Sequence, residues 1–214
     1  MPRYDPDQKT KQHILETAIR LFSEKGLENV NVEDVVKEVG VTRGAFYHYF
    51  KSREELIAGV MYKSFEDDNP YLLADKLKGL NALEKLRFVI KLTLRPRLDV
   101  SDSMREQMKK LANNSVIVKN EMIFQVNVMA GYMEKLLLEG NKDGSMNVSH
   151  PKQVAQITML IVLWLTPYVF EVPYEEYIDK VVFFEQLGIL LGVPFMDEEI
   201  KELYLKLGEQ ELKR

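Results

Sequence analysis

NVEDVVKEVGVTRGAFYHYFKSR, residues 31–53, decides the fold. At helical spacing it reads as two short helices, a tight turn and the start of a third. Asn31 can cap the first helix by accepting a backbone N–H bond, and Val32, Val35, Val36 and Val39 give that helix one apolar stripe. Gly40 stops it, because glycine takes the left-handed conformation at a helix C-terminus without a Cβ clash. Thr42 is a good N-cap for the next helix, so the turn is only about three residues, the length of a helix-turn-helix.

On a wheel stepped by about 100° per residue, Arg43, Gly44, Tyr47 and His48 share one side. Ala45, Phe46, Tyr49 and Phe50 occupy the other, so core-formers separate from groups able to donate to phosphates and base edges. Gly44 is the informative oddity. Glycine weakens a helix by about 1 kcal/mol against alanine, and the return is that a bare backbone can approach a surface closely. With Thr42, Arg43 and free N–H groups at the same helix end, a phosphate backbone beside a major groove suits that surface.

VTRGAFYHYFKSREEL, preceded by an amphipathic helix ending in LFSEKG, resembles the DNA-binding domain of the tetracycline-repressor (TetR) family. The resemblance covers roughly residues 8 to 68 and rests on a glycine near the start of the recognition helix, a Tyr-rich tail, Phe-Lys, and a capped following helix. It implies DNA contacts from Thr42, Arg43, Gly44, Tyr47 and His48, with Lys51 on phosphate. Asn31, at the head of the preceding helix, is placed in the same DNA-facing set. Tyr49 is read as packing instead.

The wider sequence sets bounds. The 214 residues are 46% hydrophobic, enough for a buried core. The absence of cysteine excludes a disulfide framework, a thiolate metal site and a cysteine nucleophile. MPRYDPDQKTKQ is polar and charged rather than a signal peptide, so a cytoplasmic protein is expected. The net charge of −4 does not suggest nucleic acid, but residues 1–63 balance ten Lys or Arg against ten Asp or Glu, and the excess acid lies beyond them. A near-neutral head on an acidic body is compatible with DNA binding if the cations gather on one face.

Residues 1–9 are expected to form a frayed arm whose Arg3 and Lys9, with Lys11 just beyond, could touch phosphates. A helix is expected over 10–25, with Ile14, Leu15, Ala18, Leu21 and Phe22 at helical spacing and Gly26 ending it. These residues, the valine stripe, Phe46, Phe50, Leu56 and Ile57 make a small core that holds the recognition helix rigid. Ser52 with Glu55 reads as a capping box for a helix that DDNP at 67–70 ends, and the domain boundary is set at 68/69. Further helices are expected at about 72–79, 82–95, 102–113, 115–140, 151–171, 174–191 and 196–208, with a Gly and Asn loop, GNKDGSMN, at 140–147. No strand pattern competes. The expected architecture is all-α, an N-terminal three-helix DNA-binding domain joined by a helix to a larger helical ligand-binding and dimerisation domain.

VAQITMLIVLWLTPYVF at 154–170 is too short for a membrane span and contains Gln156 and Pro167. A helix apolar on every side is buried on every side. The resemblance supplies the partner: this helix and the next pack with their copies as a four-helix bundle in a homodimer. Two recognition helices related by a two-fold axis then read a palindrome. The resemblance also implies a pocket in the body for a small-molecule effector, taken here to be largely apolar. Met122, Phe124, Gln125, Met129, Trp164 and Tyr168 are its candidate lining, because methionines and aromatics make adaptable apolar walls around a lone polar Gln125. Ordinary core is the competing reading for each, as it is for Tyr132 and Met133 beside them.

Enzyme readings find little. His13, His48 and His150 are far apart with no metal-ligand spacing, and no phosphate-cradling loop, nucleophile elbow or zinc motif appears. No cofactor is implied. The reading is a ligand-responsive, homodimeric transcriptional repressor on a palindromic operator. The alternative is an adaptor or coactivator that keeps the fold without DNA binding, against which the intact Thr42, Arg43, Gly44, Tyr47 and Lys51 set argues.

Overall fold

The computed structural model describes residues 6–213; the arm's first residues, Arg3 among them, lie outside these. All regular structure among them is helical. The chain divides into two compact units, one of residues 1–68 together with 114–120, the other of 69–113 together with 121–214.

The first unit contains α1 (Pro6–Lys25), a 3₁₀ turn (Leu27–Asn29), α2 (Val32–Val39), α3 (Arg43–Tyr49) and α4 (Arg53–Asp67). Helix α1 starts earlier than its apolar spacing indicated, since its first turn is polar and follows Pro6, a residue suited to a helix start. The local signals at the turn act as their chemistry demands. Asn31 Oδ1 accepts from Asp34 N at 2.9 Å, and Asp34 Oδ2 accepts from Asn31 N at 2.9 Å. Gly40 takes φ 77°, and Thr42 Oγ1 accepts from Ala45 N at 3.1 Å. Ser52 Oγ caps Glu55 N at 3.1 Å, but the Glu55 carboxylate reaches back to Lys51 N rather than Ser52 N, so the box closes one residue early.

Ile14, Leu15, Ala18, Leu21, Val32, Val35, Phe46, Phe50 and Leu56 form the core beneath this turn, with Phe22, Val36, Val39, Tyr47 and Tyr49 packed around it. Arg53 adds a polar staple. Its Nε donates to Val30 O at 3.0 Å and its Nη2 to Leu27 O, tying the start of α4 to the α1–α2 connection. That tie holds two carbonyls that no helix satisfies.

The second unit contains α5 (Pro70–Asp75), α6 (Ala82–Leu98), α7 (Asp102–Ala112), α9 (Ala130–Asp143), α10 (Pro151–Trp164), α11 (Tyr174–Leu190) and α12 (Glu198–Leu212). Helix α8 (Ser115–Phe124) begins among residues of the first unit and ends among those of the second. Helix α6 packs on α5, α9 and α12, α9 on α10, and α11 on α12. Two glycines allow close approaches. Gly192, at φ 79°, lies where a Cβ would come within 1.8 Å of Asn147 O, and Gly208 carries the Tyr177 ring where a Cβ would come within 2.2 Å of it.

Three sequence expectations are corrected here. The single helix over 115–140 is interrupted by a π-helical turn at Gln125–Met129 and runs on to Asp143, with Gly144 in the left-handed cap, so Gly140 is buried inside a helix rather than opening a loop. The helix from 151 ends at Trp164, not 171. Pro167 sets that end, because the residues before a proline leave the helical region, and Thr166 Oγ1 donates back to Val162 O at 3.0 Å. Tyr168 therefore sits in a turn. Helix α12 extends to Leu212 because Glu209 and Lys213 at 2.8 Å continue its polar face beyond 208. No helix among the described residues is long and apolar enough to cross a membrane.

Candidate nucleic-acid interface

Helix α3 is seven residues long, and its two sides differ as its sequence requires. Phe46 and Phe50 are buried, their rings 5.7 Å apart, while Thr42, Arg43, Gly44 and His48 are exposed. Tyr47 belongs to both sides. Its ring meets Phe46 edge-on at 5.3 Å, and Arg43 lies over it at 5.9 Å.

Arg43 is held rather than free. Its Nη2 lies 2.9 Å from Glu33 Oε1 on α2. The Tyr47 hydroxyl, and then the Glu33 carboxylate, push the guanidinium above its ordinary pKa, so it is a permanent cation. Both partners of the Arg43–Glu33 pair are largely exposed, where such a pair adds little stability. What it adds is a direction for a long side chain, and a guanidinium so aimed can make a bidentate contact to a guanine edge or a phosphate.

Gly44 has room. A Cβ built there meets nothing closer than Thr42 Oγ1 at 4.0 Å, so neither packing nor backbone conformation within the chain demands glycine. Lys51 folds back on the end of α3, donating to Tyr47 O at 3.0 Å and His48 O at 3.3 Å. It satisfies last-turn carbonyls and keeps an exposed ammonium at the end of the recognition helix. Asn31 is exposed and spends its Oδ1 on the α2 cap, which leaves its amide nitrogen for an outside acceptor. Tyr49 packs against the core and against His48, ring centroids 5.0 Å apart.

Sequence reasoning did not find Glu33 or Arg53. Glu33 lies ten positions before Arg43, across the turn, and only the angle between α2 and α3 brings them together. Arg53 reads in sequence as an ordinary first-turn cation.

The six pocket candidates are not brought together as one wall. Met122 is exposed. Trp164, the last residue of α10, meets Phe183 edge-on at 6.2 Å and carries Lys180 Nζ over its ring at 4.8 Å. Phe124, Gln125 and Met129 lie along the π-helical turn and its approach, each partly buried. Gln125 Nε2 donates to Glu121 Oε1 at 2.7 Å, whereas its buried Oε1 has no donor. The Tyr168 phenol is pushed above its ordinary pKa by burial, against the pull of Arg97. A separate small apolar cavity lies between α9, α10 and α11 beside Met133, Val154, Thr158, Phe184 and Phe195, with room for about one water. Among the described residues no group of three or more His, Asp or Glu side chains could hold a metal ion.

Two short capped helices, the turn between them and an exposed, polar α3 held by its buried aromatic face have the geometry of a helix-turn-helix. Residues 14–60 match the family described as bacterial regulatory proteins, tetR family. The matched stretch runs from within α1 to within α4, and similarity to the family is shown for that stretch. Over 53 residues it is 43% identical to the HTH-type transcriptional regulator AcrR of Shigella flexneri, a stretch that is 25% of each protein. That match spans only about a quarter of the relative's length. Among solved structures, the chain superposes on the transcriptional repressor QsdR of R. erythropolis with a TM-score of 0.65 at 18% identity, over 90% of this chain and 100% of that one. It superposes on RolR in complex with its ligand resorcinol with a TM-score of 0.62 at 16% identity, over 92% and 94%. At these identities the two structures establish a shared fold.

Proposed function

We propose that the protein is a DNA-binding transcriptional regulator, a cytoplasmic homodimeric repressor released from a palindromic operator when a small-molecule effector fills the second unit. The observation that carries this reading is the α3 surface. Thr42, Arg43, Gly44 and His48 are exposed on one side of a helix whose other side packs on the core through Phe46 and Phe50, with Lys51 at its end. Asn31 and Tyr47 border that surface, and residues 8–68 are the reading domain.

Dimerisation is supported by the apolar groups that α10 and α11 leave in solvent. Ile157 is 48% exposed, Phe183 52%, Ile189 62% and Leu190 81%. Exposed apolar side chains of this kind are what a second copy of the chain would cover. Residues 69–214 then supply both the dimer contact and the effector site, and the binding of resorcinol by RolR supports a body able to enclose a small molecule. An effector releases DNA only to the extent that it binds the DNA-incompetent arrangement more tightly.

Footprinting on a bound duplex, with the mass of the complex measured in parallel, tests the reading. Two protected half-sites related by a two-fold axis and two chains per site are expected. One protected half-site with one chain would overturn the dimeric reading.

A further inference from the structure

Glu33 is the second residue of α2, and the same first turn holds another acid, Asp34, that already serves the helix start by accepting from Asn31 N. The cap therefore does not need the Glu33 carboxylate. It crosses the turn instead, and its Oε1 lies 2.9 Å from Nη2 of Arg43. Arg43 is the first residue of α3. A cation is disfavoured at that end of a helix, where the peptide dipoles point their positive ends, so neither the helix nor its cap accounts for an arginine there. The Tyr47 ring, one turn along, lies 5.9 Å from the guanidinium carbon and completes the seat.

Both partners stay in solvent, with 66% of the Arg43 side chain and 57% of the Glu33 side chain exposed. An exposed pair of this kind contributes little to stability. Its consequence is electrostatic. The pair is neutral as a unit, whereas Lys51, just past the other end of α3, donates its ammonium to the Tyr47 and His48 carbonyls, which carry no full charge to cancel its own. A phosphate received by Arg43 would stand within about 6 Å of the Glu33 carboxylate, close enough for the two like charges to repel appreciably. A guanine edge offers acceptors without net charge and meets no such opposition. Glu33 engages one hydrogen of a guanidinium that has five in a planar fork, so two parallel donors remain for guanine O6 and N7.

We propose that Glu33 is a specificity-determining residue: by pairing with Arg43 it keeps the arginine off the phosphate backbone and turns its fork to a guanine edge in the major groove. The assignment rests on the reading of α3 as the DNA-reading helix. Non-specific affinity is given up for discrimination, since a contact that is penalised on phosphate and retained on a base widens the gap between the operator and other DNA.

The test uses the full chain as wild type, Glu33→Gln, Arg43→Ala and the double variant. Each is titrated over a range of salt with a duplex that the wild type selects from a random pool, and with a scrambled duplex of the same composition. Glu33→Gln is expected to bind the scrambled duplex about threefold to tenfold more tightly, with a log–log salt slope steeper by about one unit. Affinity for the selected duplex is expected to change less, so the ratio of the two falls about threefold or more. In the Arg43→Ala background the same substitution is expected to leave that ratio where it is. Single 7-deazaguanine replacements, which remove the N7 acceptor, are expected to cost the wild type about fivefold or more at a guanine of the selected site and to cost Arg43→Ala nothing there. A scrambled-duplex affinity or a ratio unmoved by Glu33→Gln, a fall of equal size without Arg43, or no guanine whose N7 matters only when Arg43 is present would each overturn the assignment and leave the regulator reading standing. A wild type that selects no sequence from the pool would remove both.

Discussion

Replacing Gly44 with alanine should raise the stability of the protein and lower its affinity for DNA. Within the chain the substitution has only a backbone effect, since the new Cβ lies no closer than 4.0 Å to any neighbour and Gly44 does not occupy a left-handed conformation. Alanine then brings up to about 0.5–1 kcal/mol of helix preference. In a domain of this size that is roughly 1–4 °C in unfolding midpoint. On the DNA side the same methyl stands on the exposed face of α3, between Arg43 and the Tyr47 and His48 positions, where the proposal puts the sugar-phosphate backbone. Displacing one charge-assisted contact there costs about 1.5–3 kcal/mol, a tenfold to hundredfold loss of affinity by order of magnitude. Calorimetry and fluorescence anisotropy on a labelled operator duplex measure the two halves on one preparation. A raised midpoint with unchanged affinity would refute the reasoning, because it would show that nothing approaches Gly44.

Arg43→Ala should weaken operator binding about tenfold or more while leaving the unfolding midpoint unchanged, since its ion pair with Glu33 is exposed; equal loss of both in anisotropy and calorimetry would make Arg43 structural. Lys51→Ala should lower the slope of log affinity against log salt by about one unit, with a small stability loss from the uncapped Tyr47 and His48 carbonyls. An unchanged slope would remove Lys51 from the phosphate contacts. Lys91→Met should lower stability at neutral pH by an amount that vanishes in acid. Burial works to raise the Asp197 carboxyl, but Lys91 and the Ile200 N–H outweigh it and hold the group below its ordinary range. A depressed carboxylate stabilises above its unfolded pKa of about 3.9 and loses that stabilisation as pH falls through the folded value, so wild type and variant should converge below about pH 4.

What was legible in the sequence was what local chemistry decides. The Asn31 and Thr42 caps, the Gly40 stop and the valine stripe are short-range patterns, and each side chain does what its spacing implies. The burial of Phe46 and Phe50 against the exposure of Arg43, Gly44 and His48 followed from helical periodicity alone. What was not legible depends on the third dimension or on weak local preferences. The π-helical turn at Gln125–Met129 has no glycine or proline to announce it. The end of α10 at Trp164 was hidden because a continuous apolar run continues through Pro167. A scattered set of pocket residues resulted, since methionines and aromatics mark apolar surroundings without saying which of them face one another.

The central claim is that this chain reads DNA sequence through α3. Selection of fragments from sheared source-genome DNA by the purified full-length protein, repeated at two salt concentrations, tests it most directly. The account predicts recovery of one or a few fragments that share a palindrome and persist at the higher salt. Salt-sensitive recovery of every fragment alike, or recovery of none, would contradict it.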